Sequence, residues 1–429
     1  MQKTNYTPYL VIVYFWWMIT TPFVRFTIFT TIRFELVLVF IMAVSVFMNL
    51  NQNVNLKKIT MLTVVFVFFY FWMLICFFLS PYKVNSNSLW WFDNYWKYLV
   101  FYFLMIFGIN DFKDLKLVIT GFVVATFLYQ IHSWLDFMRG GSYVYQQGIK
   151  RMVGTWSGGG IGAANAFGLL SLFPLPLTYF LMTTQTNKRY KYFFMGCLAV
   201  SILSVMFCGT RAAMAGVVVF IMLSMKYSKN IIKVIFVAAI FMALTYFILP
   251  ESLKSRYFSF MSKSEYQMDD LQKKLSEQSA HSRIEGLFDG WKLAMQRPIT
   301  GYGPGASPVA RLFKLNKQAD ALMPELLQLH NLYGQVPAET GIVGFVIFLM
   351  LIMIYFAQLK AAKPYSDVEL IMQYKKMFRN LMLLWLYYGF ASHTLFRINW
   401  FVMFTMQSIF IYNLKNKTFE EFNLDDENY

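Results

Sequence analysis

A histidine between a long polar segment and an apolar run is the residue of this sequence best suited to chemistry. His330 opens the stretch His-Asn-Leu-Tyr-Gly-Gln-Val-Pro-Ala-Glu-Thr-Gly-Ile-Val-Gly, which leads into the unbroken apolar run 342–356. A general base must hold and release a proton near neutral pH, and the unperturbed pKa of histidine is the nearest to it. The position predicts a base just outside a membrane, acting on a lipid-borne substrate. The alternative is a structural histidine that hydrogen-bonds at a helix end.

Two arginines are predicted on the same side of the membrane as this histidine. Arg211 opens an apolar run on the outer side, where the positive-inside rule gives no reason for a cation; its alternative is an arginine that snorkels to the surface. Arg283 lies in the first turn of a predicted helix, where a cation opposes the helix dipole; its alternative is a solvated surface charge. Arginine forks bind phosphate oxygens in bidentate fashion, so these cations suit a phosphate-bearing substrate. Possible supporting residues are Glu339, Asn331 and Arg397.

The composition predicts a polytopic membrane protein. Hydrophobic residues make up 58% of the chain and charged residues 14%, whereas about 25% of a soluble domain is charged. The net charge of +16 is spread between apolar runs rather than gathered on one soluble domain, which argues against nucleic acid and favours topology signals and an anionic substrate. The three cysteines lie in or beside apolar runs without metal-ligand spacing, so we expect no disulfide and no metal site. The sequence contains no dinucleotide fingerprint, and no cofactor is predicted.

The apolar runs predict an all-α fold of about 12 transmembrane helices with one long periplasmic helical loop. The predicted spans are 8–24, 35–50, 59–80, 95–110, 115–135, 163–184, 191–208, 210–226, 231–250, 338–358, 378–393 and 397–414. The inner loops of this arrangement are richer in lysine and arginine, so both termini are predicted to be cytoplasmic. The predicted divisions are helices 1–9 within 1–250, the periplasmic loop at 251–337, helices 10–12 within 338–414 and a cytoplasmic tail at 415–429.

Two amphipathic helices are predicted in the long outer segment. Ser282-Arg283-Ile284-Glu285 fits a capping box at a helix start, an apolar repeat follows it, and Pro298 ends the helix. A second helix is predicted to begin near Pro324 and to end at His330. Lying over the bundle, the two helices would form a lid above a membrane cavity.

Two glycine-rich segments are candidates for ligand-binding loops. The loop Gly301-Tyr302-Gly303-Pro304-Gly305 allows its backbone to approach a ligand or another chain segment closely. The outer segment from Arg151 to Asn165 could form a phosphate nest but lacks the Lys-Ser/Thr ending of a P-loop, and a flexible loop is the favoured interpretation.

The histidine segment resembles the signature of the bacterial O-antigen ligase and O-antigen or exopolysaccharide polymerase superfamily. The resemblance rests on His330 and Asn331 followed by Gly341 and Gly344, with further matches at 205–216 and 282–305. It implies a metal-independent glycosyltransferase of the bacterial inner membrane, with its active site on the periplasmic side and a donor glycan linked to undecaprenyl pyrophosphate. In this scheme His330 is the base, and Arg211 and Arg283 hold the pyrophosphate.

The preferred interpretation is an O-antigen ligase of lipopolysaccharide synthesis, which transfers the glycan to lipid A core. A polymerase, which extends another lipid-linked glycan, is the alternative within the superfamily. One departure concerns the ligases, which carry an acidic residue near the last outer turn where this chain has Ser392-His393-Thr394. From other classes, a transporter of an anionic solute or lipid predicts broken helices in two related halves, and a non-catalytic scaffold would tolerate loss of His330.

Overall fold

The computed structural model describes residues 5–24, 26–48, 56–146, 149–155, 163–225, 232, 247–258, 270–317, 328–360 and 368–416. These residues form a helical bundle with one short β-hairpin. The helices are α1 (Thr7–Thr20), α2 (Ile28–Thr31), α3 (Phe34–Met48), α4 (Met61–Phe78), α5 (Ser86–Gly108), α6 (Phe112–Met138), α7 (Ala164–Leu172), α8 (Leu175–Thr184), α9 (Lys188–Phe207), α10 (Arg211–Met225), α11 (Glu251–Phe258), α12 (Asp270–Gln296), α13 (Ser307–Lys314), α14 (Leu332–Lys360), α15 (Glu369–Gly389) and α16 (Asn399–Asn416). The antiparallel strands are β1 (Tyr143–Gln146) and β2 (Ile149–Met152).

Within the described ranges, five helical segments are long and apolar enough to cross a membrane. They are α4, α6, the broken pair α7–α8, α9 and α14. The helices α1, α3 and α10 are apolar but shorter. A membrane protein of mainly α-helical fold is therefore confirmed, while the number of twelve spans stays a prediction. Most of the predicted span 231–250 lies outside the described residues.

Local sequence signals set several helix ends. The side chains of Thr60, Asn85, Asp111 and Asn187 accept hydrogen bonds from backbone N–H groups in the first turns of α4, α5, α6 and α9, as expected of N-cap residues. Pro174 separates α7 from α8, because proline has no N–H to continue the helical hydrogen bonds. The N-cap side chains set the starts of α4, α5, α6 and α9, and α5 begins at Ser86, earlier than its predicted span 95–110.

Two apolar cores hold the chain together. The large core fills the bundle and draws buried residues from the spans along nearly the whole described chain. The small core lies under the outer segment, and it consists of Leu293, Tyr302, Ala306, Ala310, Leu329 and Ala338. The small core packs the outer segment onto the first turns of α14, and this packing fixes the surroundings of His330.

The structure corrects both predicted helices of the outer segment. Helix α12 begins at Asp270 rather than at Ser282, since residues 270–281 contain good helix formers and no glycine or proline. The predicted helix start at Pro324 lies outside the described residues, but residues 328–331 are not helical. His330 therefore lies in a connection between helices, not at a helix end.

The glycine-rich loop at 301–305 approaches another chain segment rather than open space. Its Tyr302 and Gly303 N–H groups donate to the carbonyls of Ala338 and Glu339 at 2.8 and 3.0 Å. The hydroxyl of Ser88 donates to Pro304 O at 2.7 Å. Positive φ angles at the three glycines of the loop allow this course. The loop ties the start of α14 to the outer ends of α4 and α5.

Candidate functional site

His330 adopts a left-handed backbone conformation between two buried neighbours. Its φ angle is 47°, a region that few residues other than glycine occupy and in which histidine is enriched. Leu329 and Asn331 on either side are almost completely buried. Since both neighbours are fixed by packing, the backbone at His330 is fixed, and with it the direction in which the side chain leaves the chain.

Asn331 joins three helices around His330. Its Oδ1 accepts from the N–H groups of Tyr333 and Gly334 at 2.9 and 3.2 Å, which caps α14. Its Nδ2 donates to the carbonyl of Arg283 at 3.4 Å and to that of Phe390 at 3.2 Å. The residue that follows the histidine in the sequence motif thus connects the start of α14 to α12 and to the end of α15.

Helix α12 crosses the start of α14 at glycines. A Cβ atom at Gly286 would lie 1.7 Å from the Leu329 carbonyl oxygen, and one at Gly290 would lie 2.3 Å from the Gly334 oxygen. Only glycine permits this approach, which resembles the small-residue crossings of membrane helices. The crossing brings Arg283, one turn before Gly286, beside the histidine segment.

Replacing Gly286 by alanine should separate the two helices, because the added methyl group meets backbone rather than a flexible side chain. We expect this overpacking to cost about 1–3 kcal/mol of stability and to lower the melting temperature measured by scanning fluorimetry. The matched control is Gly196→Ala in α9, where a Cβ would meet nothing within 4 Å. Equal melting temperatures for the two variants would contradict the close crossing.

Arg283 is the electrostatic centre of the site. Its positive charge acts on Arg211 at the start of α10, on Arg151 in β2 and on His330. Burial lowers the pKa of Arg283, and within the described part of the chain the groups that act on its charge are the hydroxyls of Tyr387 and Tyr388 rather than a carboxylate. Three cations in one place, Arg151 buried and Arg211 and Arg283 half-buried, favour binding of an anion with more than one charge.

The same surroundings keep His330 neutral. Burial, and then the charges of Arg283 and Arg311, lower the pKa of His330 to about 4. At pH 7 its imidazole therefore carries one N–H and one lone pair, and the lone pair can accept a proton. Arg283 thus lies close enough to influence both the expected base, His330, and the second expected arginine, Arg211.

The ring of a second histidine, His393, lies close to that of His330. The ring centroids of His330 and His393 are 5.1 Å apart, with a tilt of 57°. Burial, the charge that His330 carries once it is protonated, and the charge of Arg397 lower the pKa of His393 to about 3. Arg397 is half-buried, and Tyr388 and Tyr98 act on its charge. The segment between α15 and α16 thus brings a neutral imidazole and a further cation to the site, a role that the sequence suggested only for Arg397.

Arg151 is a functional candidate that the sequence suggested only as part of a segment for which a flexible loop was favoured. Its guanidinium is buried and donates to Cys208 O at 2.8 Å, Thr210 Oγ1 at 3.0 Å, Asn165 Oδ1 at 2.7 Å and Gln146 Oε1 at 2.6 Å. These bonds hold the turn that leads into α10 and so position Arg211. A cation next to a glycine-rich stretch was the available signal, although residues 156–162 of that stretch lie outside the described residues.

Glu339, in α14, contacts the glycine-rich loop 301–305. Its carboxylate accepts from Ser307 Oγ at 2.6 Å and from Gln335 Nε2 at 3.4 Å, and its side chain is buried. Gln335 Oε1 in turn accepts from the N–H of Leu395, in the segment of His393. Glu339 therefore fixes the loop 301–305 and the start of α14 rather than bonding to the imidazole of His330.

A buried ion pair fixes the segment before the histidine. Arg311 in α13 donates to Asp289 Oδ2 from Nη2 at 2.8 Å and from Nε at 3.2 Å, and to the carbonyl of Gln328 at 3.2 Å. Both charged side chains are almost fully buried. Unlike Arg283, this arginine is neutralised by a carboxylate, so its role is structural.

The assembled side chains can bind a polyanion beside a neutral base. Arg211 and Arg283 can neutralise phosphate charge, while His330 can accept a proton from a bound hydroxyl group. Among the described residues, no group of three histidine, cysteine or acidic side chains is arranged to hold a metal ion. The three cysteines are unpaired and buried.

Comparison with known proteins matches part of this chain to a family. Residues 196–349 match the family model described as O-Antigen ligase. The matched range includes Arg211, Arg283 and His330, whereas Arg151, His393 and Arg397 lie outside it. No curated protein matches the chain.

Proposed function

We propose that this protein, a member of the O-antigen ligase and polymerase superfamily through its match over residues 196–349, is an O-antigen ligase that transfers a glycan from undecaprenyl pyrophosphate to lipid A core. The family implies a membrane glycosyltransferase-like enzyme with lipid-linked glycan substrates. The observation that carries the finer proposal is the close crossing of α12 with the start of α14 at Gly286 and Gly290, where Asn331 Nδ2 donates to the carbonyl of Arg283 and holds the arginine beside His330. The active site would face the periplasm, in the inner membrane.

In the proposed reaction, the neutral imidazole of His330 accepts the proton of the acceptor hydroxyl group. The acceptor oxygen forms a bond to the anomeric carbon of the donor sugar, and the bond from that carbon to the pyrophosphate oxygen breaks. The electron pair leaves with undecaprenyl pyrophosphate, whose negative charge Arg211 and Arg283 stabilise. Pyrophosphate bound by cations is a good leaving group, so the scheme needs no general acid and no metal.

Three other residues support this chemistry by position. Asn331 fixes the backbone on both sides of the site through its bonds to the carbonyls of Arg283 and Phe390. Arg151 holds the turn before Arg211. Arg397 adds a half-buried cation on the side of His393, where it can contact the pyrophosphate or the acceptor.

The test is glycan transfer by the purified protein in lipid nanodiscs. Undecaprenyl-pyrophosphate-linked repeat is supplied alone or together with lipid A core, and products are separated by gel electrophoresis and identified by mass spectrometry. We expect a glycan-capped core that forms only when core is present and equally well in EDTA.

Other outcomes would change the proposal in defined ways. Chain extension without core would identify a polymerase. A monodisperse, folded protein that transfers glycan to no acceptor would favour the transporter of an anionic lipid, which a vesicle translocation assay would then measure.

A further inference from the structure

A partly exposed apolar row leads along helix α12 and the turn after it, from Arg283 toward the membrane. Every fourth residue after the arginine is apolar, and the row consists of Leu287, Trp291, Met295 and Ile299. Residues four apart lie one above the other on a helix, so Leu287, Trp291 and Met295 form a strip about 12 Å long on α12. Ile299 extends this strip in the turn that follows Gln296, and the anion site lies at the other end.

We propose that this row, flanked by Ile284 and Phe288, is the surface on which the polyisoprenoid tail of the lipid-linked donor lies between the site and the outer leaflet. The inference rests on the proposed function, since it takes the donor to be a polyprenyl pyrophosphate. It adds a binding surface for the tail to the residues that bind the head group.

Most of the row and its flanks are exposed although they are apolar. The exposed fractions are 60% for Ile284, 58% for Phe288, 65% for Met295 and 64% for Ile299, whereas Leu287 and Trp291 are half-buried. The sequence predicted an apolar face that packs on the bundle, but the face that packs there carries Gly286, Gly290, Leu293 and Ala294. A contiguous exposed apolar surface of this kind is typical of contact with lipid or another apolar partner.

The lower end of the row reaches the lipid-facing surface of α14. The ring of Trp291 lies 5.1 Å from that of Phe345, which belongs to the apolar run of this span. The N–H of Ile342 donates to the carbonyl of Pro298 at 2.7 Å, so Ile299 lies at the level where that run begins. Val343 and Val346 continue the exposed apolar surface from there into the span.

The polar side of α12 separates the row from water. Lys292 is exposed next to the row, and Glu285 pairs with Lys317 on the same side of the helix. The opposite, buried side contacts α13 and α14 through Asp289, Gly286 and Gly290. A helix with separate protein-facing, apolar and polar sides is suited to the membrane interface.

The anion site at the upper end identifies the occupant. An ordinary phospholipid could cover Met295 and Ile299 without involving the arginines. A polyprenyl pyrophosphate bound at Arg283 must instead bring its tail back to the bilayer, and the row beginning at Leu287 offers an apolar path from that position. A polyprenyl pyrophosphate would contact Arg283 with its head group and the apolar row with its tail.

The test is photo-crosslinking in phospholipid nanodiscs with radiolabelled undecaprenyl pyrophosphate. Met295 is replaced by p-benzoylphenylalanine, and Met353, which is 61% exposed on α14, receives the same replacement as the matched control. We expect the lipid to label position 295. Excess unlabelled undecaprenyl pyrophosphate should remove this label, whereas excess phosphatidylglycerol should not. The replacement Arg283→Gln should abolish it. Label at position 353 should respond to none of these changes.

A binding measurement separates the inference from the proposed function. Met295→Gln should raise the Kd for undecaprenyl pyrophosphate about tenfold and leave the Kd for inorganic pyrophosphate unchanged. The control Met353→Gln should change neither Kd. The inference alone would be overturned if the wild-type protein binds undecaprenyl pyrophosphate saturably, but position 295 acquires no label that unlabelled lipid removes and Met295→Gln does not change the Kd. Failure of the wild-type protein to bind the lipid would overturn both.

Discussion

Replacing His330 by asparagine is expected to slow glycan transfer by about 10²- to 10⁴-fold, the usual contribution of a general base, while the protein stays folded. Asparagine is the informative substitution because, like histidine, it tolerates the left-handed conformation of φ 47° at this position. Its amide cannot take the proton of the acceptor. The loss should therefore fall on kcat, whereas the Kd for undecaprenyl pyrophosphate should stay close to that of wild type.

The control for this prediction is His281→Asn on α12. His281 is exposed and lies in the same outer segment. Its replacement should leave the rate unchanged. Transfer by His330→Asn at the wild-type rate would exclude His330 as the base, and a lowered melting temperature with proportional loss of binding would indicate a structural role instead.

The pH dependence provides an independent measurement of the same residue. In the free protein the pKa of His330 is lowered to about 4, so the lone pair is available at neutral pH and is lost only as the pH falls through that value. The acid limb of kcat/KM, which reports the free enzyme, should therefore lie near pH 4 rather than near 6.5. Bound pyrophosphate adds negative charge and raises the pKa of His330, so the acid limb of kcat should lie at higher pH.

Stability must be followed in the same experiment. His330 and His393 are both held neutral in the folded protein, with pKa values of about 4 and about 3. An unfolded histidine takes up its proton near pH 6.5, so the protein should lose stability as the pH falls from there through the folded values. A melting temperature recorded at each pH separates this loss from the titration of the base.

The membrane spans were the part of the fold most readable from sequence, because a bilayer demands a long apolar run wherever a helix crosses it. Helix α4 at Met61–Phe78 and helix α9 at Lys188–Phe207 lie within a few residues of their predicted ranges. The start of α12 was predicted wrongly because a capping box signals a helix start only when the preceding residues leave the helix. Here they continue it, and Glu285 pairs with Lys317 instead of capping.

Only some residues of the candidate site could likewise be predicted from the sequence. His330, Arg211 and Arg283 were identifiable because each is a costly or reactive residue in an unusual sequence position. Contacts between segments far apart in the chain were not predictable in this way. Examples are the approach of Gly286 to Leu329 and the tilted contact between the rings of His393 and His330. The role of Arg151 was missed for this reason, since its four hydrogen bonds run to side chains and carbonyls of other elements as well as to β1.

Arg283→Gln is expected to reduce kcat/KM by about 10²- to 10³-fold, the usual cost of removing one group that stabilises developing charge. Arg283→Lys should recover only part of this loss, because a lysine cannot donate two parallel hydrogen bonds to phosphate oxygens. The matched control is Lys292→Gln, which removes an exposed cation from the same helix and should leave kcat/KM within twofold of wild type, since exposed charges contribute about 0–1 kcal/mol.

Two further readouts distinguish a phosphate-binding arginine from a structural one. Arg283 repels Arg211 and Arg151 and lowers the pKa of His330. Its replacement by glutamine should therefore leave the melting temperature equal or higher and shift the acid limb of kcat/KM to higher pH, because one of the two charges that disfavour protonation of His330 is gone. A lowered melting temperature with an unmoved acid limb would mean that Arg283 holds the fold rather than the substrate. Full activity of Arg283→Lys would mean that only its charge, and not the arginine fork, is used.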